Sequence, residues 1–269
     1  MAKTLKRGNK MKPDYKNWIP KWMLIAYPAG ALLLLILMIV FAAVLSGAAK
    51  VIVTIIFALA LAACLIAGGW SFFAYNRFSY SGKHKLSKRI VEGVAEYVTV
   101  PDGGKCLDVG CGSGALTIAV AKKNPKAELI GCDRWTKEYS DFSKLLCKEN
   151  ARAEGLDNIR FQKGDATALP FEDNTFDAVC SNYVYHNIPS RNRQAILLET
   201  LRTLKKGGTF AIHDIFSKNK YGDMEAFMQE LYRMGYEKVE LIDTTDQLMS
   251  PSEAKMMLLS NSALLYGVK

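Results

Sequence analysis

The sequence predicts a doubly wound α/β fold, with a mostly parallel sheet of seven strands, preceded by a transmembrane helical hairpin. Three observations lead there. From residue 105 onward, strand-like and helix-like stretches alternate, the rhythm of a parallel sheet covered on both faces. The first of those strands runs into CLDVGCGSG, residues 106–114, whose glycines mark a tight strand-to-helix turn. The N-terminal third holds two long apolar runs, more than a core built from the rest of the chain can bury.

Residues 1–21 form a basic leader with seven Lys/Arg against one acid, Asp14. The apolar runs, 22–45 and 51–75, flank Ser46-Gly47-Ala48-Ala49-Lys50, and each is about the 20 residues a helix needs to cross a bilayer. A buried soluble hairpin and a cleaved signal peptide fit less well, because the runs are long and charge-free and the polar leader is extended. Pro28 and Gly68-Gly69 are positions for a kink or close helix packing. Trp18, Trp22, Trp70, Tyr75 and Tyr80 fall where amphipathic rings meet headgroups.

Residues 76–104 are a basic linker and helix. Arg77, Lys83, Lys85, Lys88 and Arg89 meet no acid before residue 90, while Leu86, Ile90, Val91, Val94 and Val98 recur at helical spacing, for packing on the sheet. Pro101-Asp102-Gly103-Gly104 ends that helix. In the domain 105–269, strands are expected at 105–109, 128–132, 159–163, 176–180, 209–214, 236–242 and 262–268. Helices are expected at about 115–123, 136–153, 190–204 and 221–234, the third ending in a C-cap at Gly207-Gly208.

Charge is unevenly placed. The 269 residues carry +9 overall, yet residues 1–89 hold 13 Lys/Arg against one Asp, which leaves the remainder at −3. The basic balance therefore belongs to the N-terminal third, a nucleic-acid reading of the whole protein loses its main support, and no nucleic-acid partner is expected. With both flanks basic and only Lys50 between the spans, both termini and the α/β domain are expected in the cytoplasm, on the cytoplasmic membrane. The flanks would also attract anionic headgroups, at about 1 kcal/mol per charge. Six cysteines, Cys64, Cys106, Cys111, Cys132, Cys147 and Cys180, include no CxxC pair and no His at zinc spacing. No metal is expected, and the thiols read as small buried hydrophobes in a reducing compartment.

Ligands of doubly wound sheets bind outside the carboxyl ends of the strands. The glycine turn there has GxGxG spacing with Asp108 two residues ahead, whereas a dinucleotide loop has GxGxxG and an acid about twenty residues later. An acid in the loop repels a pyrophosphate and suits a cationic amino-acid group. Asp133 ends the second strand, where a carboxylate accepts from both hydroxyls of a ribose or, alternatively, caps the next helix. At these residues the sequence resembles the class I S-adenosylmethionine-dependent methyltransferases, over roughly residues 85–269. The string GDATALPFEDNTFDAV, 164–179, further resembles quinone-biosynthesis C-methyltransferases and related small-molecule enzymes.

The resemblance implies a Rossmann-like methyltransferase fold and S-adenosyl-L-methionine as cofactor. It gives the methionine end to Asp108, Gly110, Cys111, Gly112, Ser113 and Gly114, and the ribose to Asp133 with Arg134. Adenine falls to Gly164, Asp165 and Ala166, and the methyl side of the cleft to Ser181 and Asn182. Asp165 otherwise reads as a turn residue, and Asp177 as a structural acid. Beyond the fourth strand, SNYVYHNIPSRNRQ brings Tyr183, Tyr185, His186 and Asn187 to the acceptor side. His186 is a candidate general base or else a packed histidine. Arsenite methyltransferases have Cys where Tyr183 stands, which argues against arsenic chemistry. His213 and Asp214 end the fifth strand and are candidates for a His-Asp pair, or for a solvated His beside a capping Asp.

The function expected is a membrane-anchored transfer of a methyl group to a small, hydrophobic or lipid-soluble acceptor, with Tyr183, His186, His213 and Asp214 as catalytic candidates. The partners are that acceptor and the membrane. A membrane-tethered scaffold without turnover and a nicotinamide-dependent reductase are the alternatives.

Overall fold

The computed structural model describes residues 11–135 and 142–269. The chain forms two compact units, Asn17–Lys88 and a larger one of residues 11–16 with Arg89–Lys269.

In the smaller unit, α1 (Met23–Val44) and α2 (Gly47–Arg77) form an antiparallel hairpin. Their mean hydropathies are 2.6 and 2.8, and few of their side chains are buried, so each is long and apolar enough to cross a membrane. The connection is shorter than the five residues expected, because Gly47, Ala48, Ala49 and Lys50 join α2 and only Leu45 and Ser46 remain outside. Pro28 lies inside α1. Gly68 faces it closely: a Cβ there would lie 3.3 Å from Tyr27 Cβ, so the missing side chain lets the helices approach. Phe41 and Phe57 stack at 5.5 Å.

The larger unit is built on a seven-stranded sheet, in order β3-β2-β1-β4-β5-β7-β6. The strands are β1 (Lys105–Val109), β2 (Glu128–Asp133), β3 (Ile159–Lys163), β4 (Phe176–Asn182), β5 (Leu204–Ile215), β6 (Lys238–Asp243) and β7 (Ser262–Val268). β1 to β5 pair in parallel, and β7 runs antiparallel between β5 and β6. The chain goes one way from β1 through β2 to β3, then returns to β4 on the other side of β1, which opens a crevice at the carboxyl ends of β1 and β4. The inner strands are buried on both faces; Cys106, Leu107, Leu129, Ala178, Val179 and Ile212 are all inaccessible.

Around the sheet lie α3 (Leu86–Glu96), α4 (Ala115–Lys123), α5 (Lys144–Ala153), α6 (Arg193–Arg202), α7 (Lys218–Tyr221), α8 (Met224–Arg233) and α9 (Pro251–Met256). Ile90, Val91, Val94 and Val98 are buried, and Gly93 abuts Leu248, as the helical spacing predicted. Residues 136–141 of the helix expected at 136–153 lie outside the described residues. The glycine pair Gly207-Gly208 is not a helix C-cap: α6 ends at Arg202, and the pair lies inside β5, whose register slips between Phe176 and Ala178 of β4. Gly207 has φ +75°, and its N–H donates to the Lys269 carbonyl, so the freedom of glycine serves a strand irregularity there. The short helices α7 and α9 have no counterpart in the sequence expectation, being too brief for a periodic signal.

Candidate active site

The glycine turn leaves β1 with Gly110, Gly112 and Gly114 at φ +73°, +54° and +80°, a conformation side-chain-bearing residues avoid. A Cβ on Gly110 would lie 2.3 Å from Val184, so the turn and the loop after β4 touch only because that atom is missing. Amides of Gly110 and Cys111 donate to the Cys132 carbonyl, which fixes the turn to β2. Ser113 is buried, its carbonyl accepting from Asn150 Nδ2 of α5 at 3.0 Å.

Beneath the turn Asp108 is buried, with Oδ2 accepting from Thr117 Oγ1 of α4 at 2.6 Å. Burial raises its pKa to about 7 against the lowering effect of that bond. Asp133 is partly exposed. Its Oδ2 accepts from the Gly112 amide at 2.9 Å and its Oδ1 from the Trp135 amide at 2.8 Å. The Trp135 indole donates back to the Gly112 carbonyl, so turn, acid and indole form one unit. Arg134 Nε lies 3.5 Å from Asp165 Oδ2. Asp165 Oδ1 accepts from the amide and hydroxyl of Thr167, an Asx turn that leaves the side chain 39% exposed at the crevice rim. Ala166 is buried beside it. Gly164 has no space for a Cβ, which would meet Cys132 Sγ and the Pro170 ring, and its amide donates to the Asp133 carbonyl.

On the other side Ser181 donates from Oγ to the Val109 carbonyl at 2.8 Å, joining β4 to the root of the turn. Tyr183, at φ +55°, then swings the chain across β5, its amide donating to the His213 carbonyl. A single 3-10 turn, Tyr185–Asn187, follows. Here one expectation is corrected: His213 and Asp214 do not pair. Consecutive strand residues point to opposite faces of a sheet, so the two side chains diverge. His213 Nδ1 donates to Asn182 Oδ1 at 2.7 Å, leaving Nε2 to accept from Thr244 Oγ1 at 2.8 Å; burial lowers its pKa to about 4 and keeps it neutral.

Asp214 pairs with His186 instead. His186 Nδ1 donates to Asp214 Oδ1 at 2.5 Å, and Asp214 Oδ2 accepts from the amides of Tyr185 at 2.8 Å and His186 at 3.2 Å. Burial alone would raise the Asp214 pKa, but the His186 bond, the His186 charge and the backbone donors hold it below the usual carboxylate range. A buried carboxylate on Nδ1 fixes the tautomer in which Nε2 is the basic nitrogen. The turn that carries His186 is clamped by Arg193, whose guanidinium donates to the carbonyls of Tyr185, Ile188, Ser190 and Lys220.

Tyr183 OH is 2.7 Å from Ser262 Oγ, and burial pushes its pKa up. Its ring packs on His213 at 4.6 Å and meets His186 edge-on at 6.0 Å, which makes it a wall between the histidines. Thr117, Trp135, Asn150, Arg193, Thr244 and Ser262 were missed from sequence. Only Trp135, an aromatic two residues after the acid, left a signal there.

A class I donor site is tested by these features. Three glycines in left-handed conformation open backbone to a ligand, Asp133 and Asp165 present carboxylates at the ends of adjacent strands, and the crevice lies at the sheet's switch point. The residues present fit S-adenosylmethionine.

The sequence profile of the family described as "Methyltransferase domain" matches residues 101–257. A demethylmenaquinone methyltransferase of Bacillus cytotoxicus is 37% identical over 110 residues, 40% of this chain and 44% of that protein. One of Staphylococcus aureus is 36% identical over 128 residues, 47% of this chain and 48% of that protein. The chain thus spans about half the length of these relatives. Among solved structures, a geranyl diphosphate methyltransferase in complex with GPP and sinefungin aligns with TM-score 0.51 at 15% identity, over 70% of this chain and 79% of that one, a likeness of fold alone.

Proposed function

This chain belongs to the methyltransferase domain family, and from that premise we propose that it transfers a methyl group from S-adenosylmethionine to a hydrophobic hydroxyaromatic acceptor taken from the cytoplasmic membrane. The observation that carries the reading is the juxtaposition, across the β1/β4 crevice, of a left-handed glycine turn and the His186–Asp214 pair. The curated relatives are named for demethylmenaquinone, a quinone, and this supports the acceptor class.

When bound, the donor supplies a sulfonium methyl group that is already activated, so the protein has to align, dehydrate and deprotonate the acceptor. Gly110, Cys111, Gly112, Ser113 and Gly114 would hold the methionine end, with Asp108 setting the turn from below. Asp133 and Arg134 would hold the ribose. Gly164, Asp165 and Ala166 would hold the adenine. Ser181 and Asn182 would line the side of the crevice that takes the methyl end of the donor. His186 Nε2 accepts the acceptor's hydroxyl proton, and the charge it gains is balanced by Asp214, which keeps its own proton off. Tyr183 and His213 shape the wall of that pocket and hold the imidazole plane.

The apolar character of α1 and α2 supports membrane anchoring, and the Lys/Arg flanks support a cytoplasmic position for both termini and the catalytic unit. The test is incubation of the detergent-solubilised full chain with methyl-labelled donor and a reduced demethylmenaquinone. Label in the quinone fraction is expected. Donor binding without labelled product from that quinone or from any cell lipid fraction would favour a scaffold, and absence of donor binding in the folded protein would remove the reading.

A further inference from the structure

The larger unit carries an exposed apolar turn after α9. α9 ends in a Schellman turn, with the Leu259 amide donating to the Ala254 carbonyl at 2.8 Å and the Leu258 amide to Lys255 at 3.3 Å. The residue in the left-handed position of such a turn is ordinarily glycine or asparagine. Here it is Leu258, at φ +59° and 69% exposed, with Met256 46% exposed and Lys255 exposed beside it. Three residues later the same conformation is taken by Asn261, which tolerates it. Leu258 is thus a branched apolar side chain held mostly exposed to solvent in a backbone conformation that such residues avoid.

Its position gives it a use. β7 is antiparallel to β5, with Ser262 opposite Ile215, so the turn from α9 into β7 lies at the edge of the sheet where β1, β4 and β5 end. Ser262 Oγ bonds Tyr183 OH, and the Asn261 carbonyl accepts from the Phe216 amide. The turn is thus followed directly by residues that bond the wall of the proposed acceptor site. α9 is also tied to the chain emerging from the hairpin: Glu253 Oε2 bonds Arg89 Nη2 at 2.7 Å, and Arg89 follows the end of α2 by only twelve residues.

We propose that Lys255, Met256 and Leu258 form an interfacial membrane contact, a lip that enters the headgroup region and opens the acceptor pocket to a substrate dissolved in the bilayer. Leucine and methionine side chains would lie at the acyl boundary and the lysine among the phosphates. The occupant is the lipid surface because the hairpin tethers this edge to a bilayer by a short leash, about 40 Å if fully extended. The inference rests on reading α1 and α2 as spans and the crevice as an acceptor site.

The test uses the full chain reconstituted in vesicles of phosphatidylcholine and phosphatidylglycerol. A fluorophore on Leu258→Cys is compared with one on Lys206→Cys, an exposed residue at the opposite edge of the sheet, with the unsubstituted chain as background for Cys64. Nitroxide lipids with a shallow spin label should quench the 258 position at least about twofold more than the 206 position. Equal quenching at both positions would overturn the lip, as would shielding at 258 that depends on protein concentration and not on nitroxide, the mark of a second copy. In turnover, Leu258→Asn keeps a residue suited to the left-handed turn. It should raise KM for a long-chain demethylmenaquinone carried in the vesicle roughly five- to tenfold, as expected for losing one interfacial leucine, with donor affinity and kcat unchanged. KM for a short-chain soluble analogue should stay as it was; an equal rise for both, or for neither, would count against the lip. If no acceptor is methylated, the proposed function fails while the quenching still decides the membrane contact.

Discussion

The two halves of the crevice are built by different means. The half proposed for the donor, at β1, β2 and β3, is mostly backbone: glycines at positive φ, amides on Cys132 and Asp133, and carboxylates held by neighbouring N–H groups. The half proposed for the acceptor, at β4, β5 and β7, is mostly side chain: His186 on Asp214, His213 between Asn182 and Thr244, and Tyr183 on Ser262. Backbone geometry tolerates no added atom, while side-chain networks tolerate substitution with graded loss.

The largest effect should come from the donor half. Gly110→Ala places a Cβ 2.3 Å from Val184 at φ +73°, a strain and clash together of roughly 3–5 kcal/mol. Calorimetry should find no donor binding and the melting transition well below that of the parent; near-normal affinity would show that the half is more plastic than its backbone suggests.

Asp214→Asn attacks the acceptor half alone. It removes the charge that fixes the His186 tautomer and stabilises the imidazolium, so kcat should fall about 10²–10³-fold while donor affinity holds. A matching loss of donor affinity would mean that the halves are not separable.

Next in size is a pH contrast between two buried groups. Folding raises the Asp108 pKa from 3.8 to about 7, so the stability it contributes is present below pH 4 and is lost as pH rises through 7. Asp108→Asn should therefore gain stability over the parent through that window, reaching roughly 2–4 kcal/mol at pH 8, while weakening donor binding. His213 slopes the other way: lowered from 6.5 to about 4, it contributes stability above pH 6.5 that is lost as pH falls toward 4. His213→Gln should flatten that acid limb. Thermal melts of the three proteins across pH 4–8 check both signs, and parallel curves would refute them.

The smallest effect is expected from Ser262→Ala, which leaves the Tyr183 hydroxyl without that partner at a cost of about 1 kcal/mol. Acceptor KM should rise about two- to threefold, with donor affinity unaltered. A change in donor affinity instead would transfer Tyr183 to the donor half.

The sequence by itself determined the sheet, the glycine turn and the hairpin, because each is written in local signals: alternation of element types, glycine spacing, and runs of apolar residues long enough to span a bilayer. The positions of Asp108, Asp133 and Asp165 at or just beyond strand ends were legible for the same reason, as each stands close to a turn. The partners across the crevice were not. His213 and Asp214 are neighbours in the chain and suggested a pair, yet the two-residue period of a strand sends them to opposite faces, and a turn 28 residues upstream brings His186 to Asp214. The left-handed Leu258 was equally hidden, since nothing in KMMLLSN announces a Schellman turn without glycine. Periodicity fixes what each segment becomes; which side chains then meet depends on strand order and register, and only the folded chain sets those.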